Sequence, residues 1–205
     1  MKRILPLVLL LPTPLLAQQQ SVDEASYNFF DVDYVGTNWD TGAGTIDGNG
    51  YAGRFSVAVR DHMYLSGEFS AWEFDGIAGS SQTSSFGIGT NWNLKPRWSV
   101  FGTAGIRTAD IDVGTGNMQA DNPFVTGGVR WKISDGFELR LIGDYVDLDP
   151  ARTGKVSLTV GGDIFLTDVV ALSLEANQNE DDTTMYMVGL RFYHGRDTAG
   201  LRKRR

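Results

Sequence analysis

The sequence predicts an all-β protein: a ten-stranded antiparallel up-and-down transmembrane β-barrel, with eight strands as the alternative. Three observations predict it. Polar and apolar residues alternate through ten segments of the chain. Short turns and long connections alternate between those segments. The aromatic residues of the apolar faces gather mainly at the two ends of those faces.

The chain opens MKRILPLVLLLPTPLLAQQQ. Lys2 and Arg3 precede a largely apolar run of 13, Ile4 to Leu16, and small Ala17 stands before glutamines. This is the pattern of a secretory signal peptide cut after Ala17, although Leu15 is large for the position three before the cut. The expected organisation is a signal peptide over 1–17, one barrel domain over 18–194, and a basic, disordered periplasmic tail over 195–205. No later stretch approaches the roughly 18 apolar residues of a membrane helix, so strands must carry the chain through any membrane. The absence of cysteine excludes disulfides and thiolate metal sites. Without the leader and tail charges, 11 basic residues stand against 24 acidic ones. Such a surface repels phosphate backbones and excludes nucleic acid as a partner.

The ten segments follow in order, each with an apolar and a polar face. Residues 27–36 set Phe30, Val32 and Tyr34 against Phe29, Asp31 and Asp33. Residues 51–60 set Tyr51, Phe55, Val57 and Val59 against Arg54, Ser56 and Arg60. Residues 63–73 set Leu65, Gly67, Phe69 and Ala71 against Tyr64, Ser66, Glu68 and Ser70. Residues 84–94 set Phe86, Ile88, Thr90 and Trp92 against Gly87, Gly89, Asn91 and Asn93. Residues 98–108 set Trp98, Val100, Ala104 and Ile106 against Ser99, Thr103 and Arg107. Residues 124–133 set Val125, Val129, Trp131 and Ile133 against Thr126, Gly128, Arg130 and Lys132. Residues 137–146 set Phe137, Leu139, Leu141 and Tyr145 against Glu138, Arg140 and Asp144. Residues 156–166 set Val156, Leu158, Val160 and Ile164 against Ser157, Thr159, Gly161 and Asp163. Residues 170–177 set Val170, Leu172, Leu174 and Ala176 against Ser173, Glu175 and Asn177. Residues 186–193 set Tyr186, Val188, Leu190 and Phe192 against Met187, Gly189, Arg191 and Tyr193. The tight turns are RDH, LKPR, SDG and LTD; the stretches 37–49, 75–83, 109–122, 148–155 and 178–183 read as long loops.

The apolar face is the one that meets lipid. Trp92, Trp98, Trp131, Phe137 and Phe192 lie beside the short turns, and Tyr34, Tyr51, Phe86, Tyr145 and Tyr186 beside the long loops. Two aromatic belts around an aliphatic band suit the two membrane interfaces. The polar face carries both signs of charge, which suits a lumen where opposite charges pair. The expected ion-pair network comprises Arg54, Glu68, Arg107, Arg130, Arg140, Asp144, Glu175 and Arg191. Lumen-facing Gly87, Gly89, Gly105, Gly128, Gly161 and Gly189 are expected to leave room for water.

The leader, the early SYNFFDVDYV, the ten alternating segments and the final GLRFY strand resemble the small outer-membrane barrels of Gram-negative bacteria, OmpA/OmpX-like in style. Within them the chain is most similar to the diffusible-signal-factor-regulated outer-membrane protein family. The resemblance implies location in the outer membrane, contact with its lipid and lipopolysaccharide, and insertion by the barrel-assembly machinery. That machinery reads a terminal aromatic; here Phe192 and Tyr193 fit, yet 12 residues follow.

Chemistry is scarce. Barrel enzymes place a His among acids at the extracellular rim, but His62 and His194 both fall at the opposite end. No G-x-S-x-G, H-E-x-x-H or phosphate loop occurs, so no enzyme and no cofactor are expected. Asp110, Asp112, Asp147, Asp149, Glu180, Asp181 and Asp182, with Asp40, Asp47, Asp75 and Asp121, form an acidic outer rim opposed by Arg152 and Lys155. Oxygen ligands of this kind suit Ca²⁺ or Mg²⁺ bridging to lipopolysaccharide phosphates, but EF-hand spacing is absent and a solvated, self-repelling rim is the preferred reading. The expected role is structural or surface-interacting, with acidic loops recognising an extracellular ligand of unspecified chemistry. The alternative is a narrow ion or small-solute channel.

Overall fold

The computed structural model describes residues 25–40, 44–76, 79–113, 116–147, 154–180 and 183–194. The expected signal peptide, the basic tail, Asp149, Arg152, Asp181 and Asp182 lie outside them, as does the side chain of Asp40. Ten strands run in chain order: β1 Phe29–Asp40, β2 Thr45–Arg60, β3 Met63–Phe74, β4 Gly79–Lys95, β5 Trp98–Val113, β6 Gly116–Ser134, β7 Phe137–Val146, β8 Lys155–Phe165, β9 Val170–Asn179 and β10 Thr183–Tyr193. Every strand pairs antiparallel with its sequence neighbours, and β1 pairs with β10 from Phe29↔Tyr193 to Trp39↔Thr183, so the sheet closes. Closure leaves no edge within the membrane span, where an unpaired backbone group has no water to turn to.

The alternation places side chains as the sequence predicts. Val32, Tyr51, Phe86, Ile106, Val125, Leu158 and Tyr186 on the outer wall are all about half exposed or more. An apolar band running round the whole wall far exceeds the few hundred Å² or so that a soluble monomer exposes. It belongs in hydrocarbon. The aromatic belts are in place, and Trp98 stacks on Trp131 at 4.8 Å across β5 and β6. At the end that carries the short turns, three two-residue turns (Asp61–His62, Pro96–Arg97, Asp135–Gly136) each stand beside a register shift. Such bulges increase local twist and finish the ladder at a tight turn.

Two expectations need correction. The first strand starts at Phe29, not Tyr27; Ala25 to Asn28 turn into the lumen instead and are buried. The stretches read as long loops are in large part strand. β1 reaches Asp40, β4 begins at Gly79, β5 runs to Val113, and β6 begins at Gly116. Asp47, Asp110, Asp112 and Asp121 therefore stand on strands. The cause is physical: beyond the membrane both faces of a strand meet water or other side chains. The apolar-outside signal fades there while backbone pairing continues, from Ser80↔Asp112 to Asp112↔Asn117.

Leu190, between the two belts on β10, gives a direct test. Leu190→Arg should lower folding stability in lipid vesicles by about 2–4 kcal/mol, and Thr184→Arg, above the belt on the same face, by about 1 kcal/mol or less. Urea titration followed by tryptophan fluorescence reads both.

Candidate functional site

The lumen holds three tiers of polar contacts. The middle tier is a closed ring. Arg54 on β2 donates from Nε to Asp31 Oδ1 at 3.1 Å and from Nη1 to Glu175 Oε2 at 2.6 Å. Arg140 on β7 donates to Glu175 Oε1 at 2.8 Å and to Asp163 Oδ2 at 2.5 Å. Arg191 on β10 donates to Asp163 Oδ2 at 3.1 Å and, through Nε, to Asp31 Oδ2 at 2.9 Å. The circuit runs Arg54, Asp31, Arg191, Asp163, Arg140, Glu175 and back to Arg54, with the sign alternating at each step. Six strands (β1, β2, β7, β8, β9 and β10) contribute one residue each. Asp33 joins from the side through Arg54 Nη2 at 3.0 Å, and the Tyr193 hydroxyl donates to Asp163 Oδ2. Asp31 and Asp163 are 0 % exposed, so these charges are removed from water and depend on one another.

The second tier closes the end that carries the short turns. Ala25–Asn28 fold into that mouth. Tyr27 stacks on Tyr64 at 4.9 Å, meets Phe101 edge-on at 6.1 Å, and lies under the Arg130 guanidinium at 4.8 Å. Its hydroxyl shares a 2.7 Å hydrogen bond with Ser99 Oγ. The backbone is held as well. Ser56 Oγ donates to Tyr27 O at 2.7 Å, Arg130 Nη1 to Ser26 O at 2.7 Å, and Ala58 N to Asn28 Oδ1 at 2.7 Å. Arg130 also donates to Glu138 Oε1 at 2.6 Å. Ala25, Tyr27 and Tyr64, with Phe101 packed against them, form a buried hydrophobic cluster inside the lumen.

The third tier lies toward the long hairpins. Arg107 donates to Asp144 Oδ2 at 2.7 Å while resting over Phe124 at 5.0 Å, and Thr126 Oγ1 donates to Asp144 Oδ1 at 2.5 Å.

Of the eight expected network residues, Arg54, Arg140, Glu175 and Arg191 meet in the ring, and Arg130, Arg107 and Asp144 pair elsewhere. Glu68 faces Arg54 in the β2–β3 register but forms no direct ion pair with a described residue. The network also takes in Asp31, Asp33, Asp163 and Glu138, which the expected set does not contain. Strand parity does mark them: Asp31 and Asp33 share a face in FFDVDYV, and Glu138 shares one with Arg140. Nothing in the sequence marks the inturned Tyr27.

The expected space over the lumen glycines is occupied. A Cβ on Gly87 or Gly105 would run into Phe124 and neighbouring backbone, one on Gly89 into Tyr64, and one on Gly128 into Phe101. Gly161 lies under Glu175 and Gly189 under Asp33. These glycines make room for a neighbour's side chain, not for water.

His62 stands in the β2–β3 turn and His194 follows β10, both at the plugged end. The rim acids do not converge: among the described residues no three His, Cys, Asp or Glu groups form a metal site.

Many solved barrels are similar to this chain. A KdgM porin is 12% identical over 79% of this chain and 98% of its own, with a TM-score of 0.46. Ail of Yersinia pestis is 14% identical over 82% of this chain and 100% of its own, with a TM-score of 0.39. The N-terminal β-barrel domain of Pseudomonas aeruginosa OprF is 14% identical over 82% of this chain and 98% of its own, with a TM-score of 0.43. At these values the likeness carries neither family nor function. No protein-family model matches the chain, and no curated protein does. The resemblance to the diffusible-signal-factor-regulated family therefore rests on the residues alone.

Removing one member of a buried ion pair strands the other. Glu175→Gln, which deprives both Arg54 and Arg140, should cost about 3–5 kcal/mol of stability in urea titrations. Asp112→Asn on the exposed hairpin should stay within about 0.5 kcal/mol of the parent. Raising salt from roughly 0.1 to 1 M should leave the parent's transition nearly unmoved, because buried pairs are poorly screened.

Proposed function

We propose that this protein is an outer-membrane surface protein whose barrel is a closed anchor and whose acidic extracellular end does the recognising. One observation carries the reading. The lumen is obstructed twice, by the six-membered ion-pair ring at one level and by Ala25–Asn28 with Tyr64 and Phe101 at another. A diffusion pore has no use for either.

The leader sequence and the lipid-facing band support export to an outer membrane. Outer-membrane lipid and lipopolysaccharide are then the standing partners of the wall, and the barrel-assembly machinery acts during insertion. The acidic groups at the hairpin end give it a negative field that would draw positively charged partners toward it.

Single-channel recording on refolded residues 18–205 in a planar bilayer tests the reading. No steady conductance is expected. Tyr27→Ser, which removes the plug's aromatic ring and spares the ion-pair ring, should also remain silent. A parent protein with steady conductance, its folded state shown by a heat-modifiable gel shift, would overturn the closed-anchor reading and make the protein a channel.

A further inference from the structure

The polarity of the strands reverses where they leave the membrane. Below the upper aromatic belt the outer face is apolar and the inner face polar. Above it the outer face carries Asp47, Glu73, Gln82, Asp110, Asp112 and Asp121. Two outer-face hydrogen bonds fix the parity: Asn38 Nδ2 donates to Asp47 Oδ1 at 2.8 Å, and Thr108 Oγ1 to Asp121 Oδ1 at 2.6 Å. The neighbours on the same strands must then point inward. They are apolar.

In the registers these inner-face residues form continuous rows. Val35, Gly50, Trp72, Ser81, Ile111 and Met118 pair across β1 to β6 in one row, and Trp39 pairs with Ile46 above it. At the bottom of this funnel Val35 is 0 % exposed. At the top Trp39, Ile111 and Met118 are 40 %, 36 % and 64 % exposed. This wall, interrupted by Thr37 and Ser81, runs from a packed floor to an open mouth, over about 13 Å of strand from Val35 to Trp39 at roughly 3.3 Å per residue. The opposite wall is polar on β8 and β9, where Ser157, Asn177 and Asn179 face inward, while on β10 inward Thr183 lies above inward Met185 and Met187.

We infer that this funnel is a binding site for a cationic amphiphile, with the apolar chain against Val35, Trp72, Ile111 and Met118 and the cationic head at the mouth. The inference deepens the proposed surface role and rests on it. Two features select the occupant. Exposed inward apolar groups cannot be satisfied by lipid, because they lie inside the barrel wall, and water is a poor neighbour for them. Among the described residues, the ionisable groups on the outer faces of the projecting strands β1 to β6 are acidic and outnumber Lys155 at the start of β8, so the field at the mouth favours a cation and disfavours an anion. The hydrogen-bonding inner wall of β8 and β9 leaves the apolar side to β1 to β6, with Met185 and Met187 of β10 beside it, enough for one chain.

The methionines report on the site. Apart from Met1 the chain has Met63, Met118, Met185 and Met187. Met118, Met185 and Met187 take inward positions in the outer half of the barrel, whereas Met63 is lipid-facing at the opposite end. The experiment is ¹³C-methyl methionine NMR of residues 18–205 in lipid nanodiscs, titrated with decyltrimethylammonium and separately with decyl sulfate. The expected result is a saturable shift of Met118 and Met187 with the ammonium at concentrations that leave Met63 unmoved. Decyl sulfate should bind at least tenfold more weakly, as should the ammonium to Ile111→Asn, an uncharged, exposed substitution whose folding the gel shift checks. Shifts that move Met63 first, or equal response to both amphiphiles, would overturn the inference. Neither outcome bears on the closed-anchor reading, which conductance decides separately.

Discussion

A charge in the middle of a membrane must find an opposite charge or drag water with it. Here the solution is a ring in which each guanidinium serves at least two carboxylates and each carboxylate of the circuit at least two guanidiniums. The ring depends on closure: Asp31 and Arg191 face each other only because β1 and β10 pair, at the register Asp31↔Arg191. Closure in turn gains from the ring, since six strands are tied to one another across the lumen as well as around it. Arginine suits this task because its planar fork can reach several carboxylate oxygens at once, and its charge persists at any ordinary pH.

The same arrangement accounts for the glycines. A barrel of ten strands would have room inside, but phenylalanine, tyrosine and ionised side chains lie flat over the bare backbone of the next strand. Phe124 over Gly87 and Gly105 and Tyr64 over Gly89 are the clearest cases. Filling by neighbours and stitching by ion pairs together turn a tube into a solid column within the membrane. The chain before β1 then folds back into one mouth, where stacking, a cation–π contact and backbone hydrogen bonds hold it.

Much of this was legible in the sequence, and the parts that were not share a reason. Strand number, strand faces, the two belts and the identity of the turns follow from period-two alternation, because lipid imposes one rule on every outward position. Where lipid ends the rule ends. The extended hairpins read as loops because Asp47, Asp110 and Asp121 occupy outward positions that apolar residues hold lower down. Which charges meet across the lumen depends on strand tilt and stagger, which alternation does not encode. Arg54 meets Glu175 from 121 residues away. Tyr27 looked like a strand residue because it precedes Asn28 and Phe29 in the right parity; its turn inward is set by partners on β2, β3, β5 and β6 that no local pattern names.

The central claim is that the ring acts as one structure and not as a set of independent pairs. Arg54 and Asp163 sit across it from each other and share no direct contact, so a double-mutant cycle on Arg54→Leu and Asp163→Asn isolates the property. A single cooperative ring predicts that the two losses fail to add by about 1 kcal/mol or more, measured by urea unfolding in lipid vesicles. Additivity within about 0.5 kcal/mol would show that the pairs act separately and contradict the account.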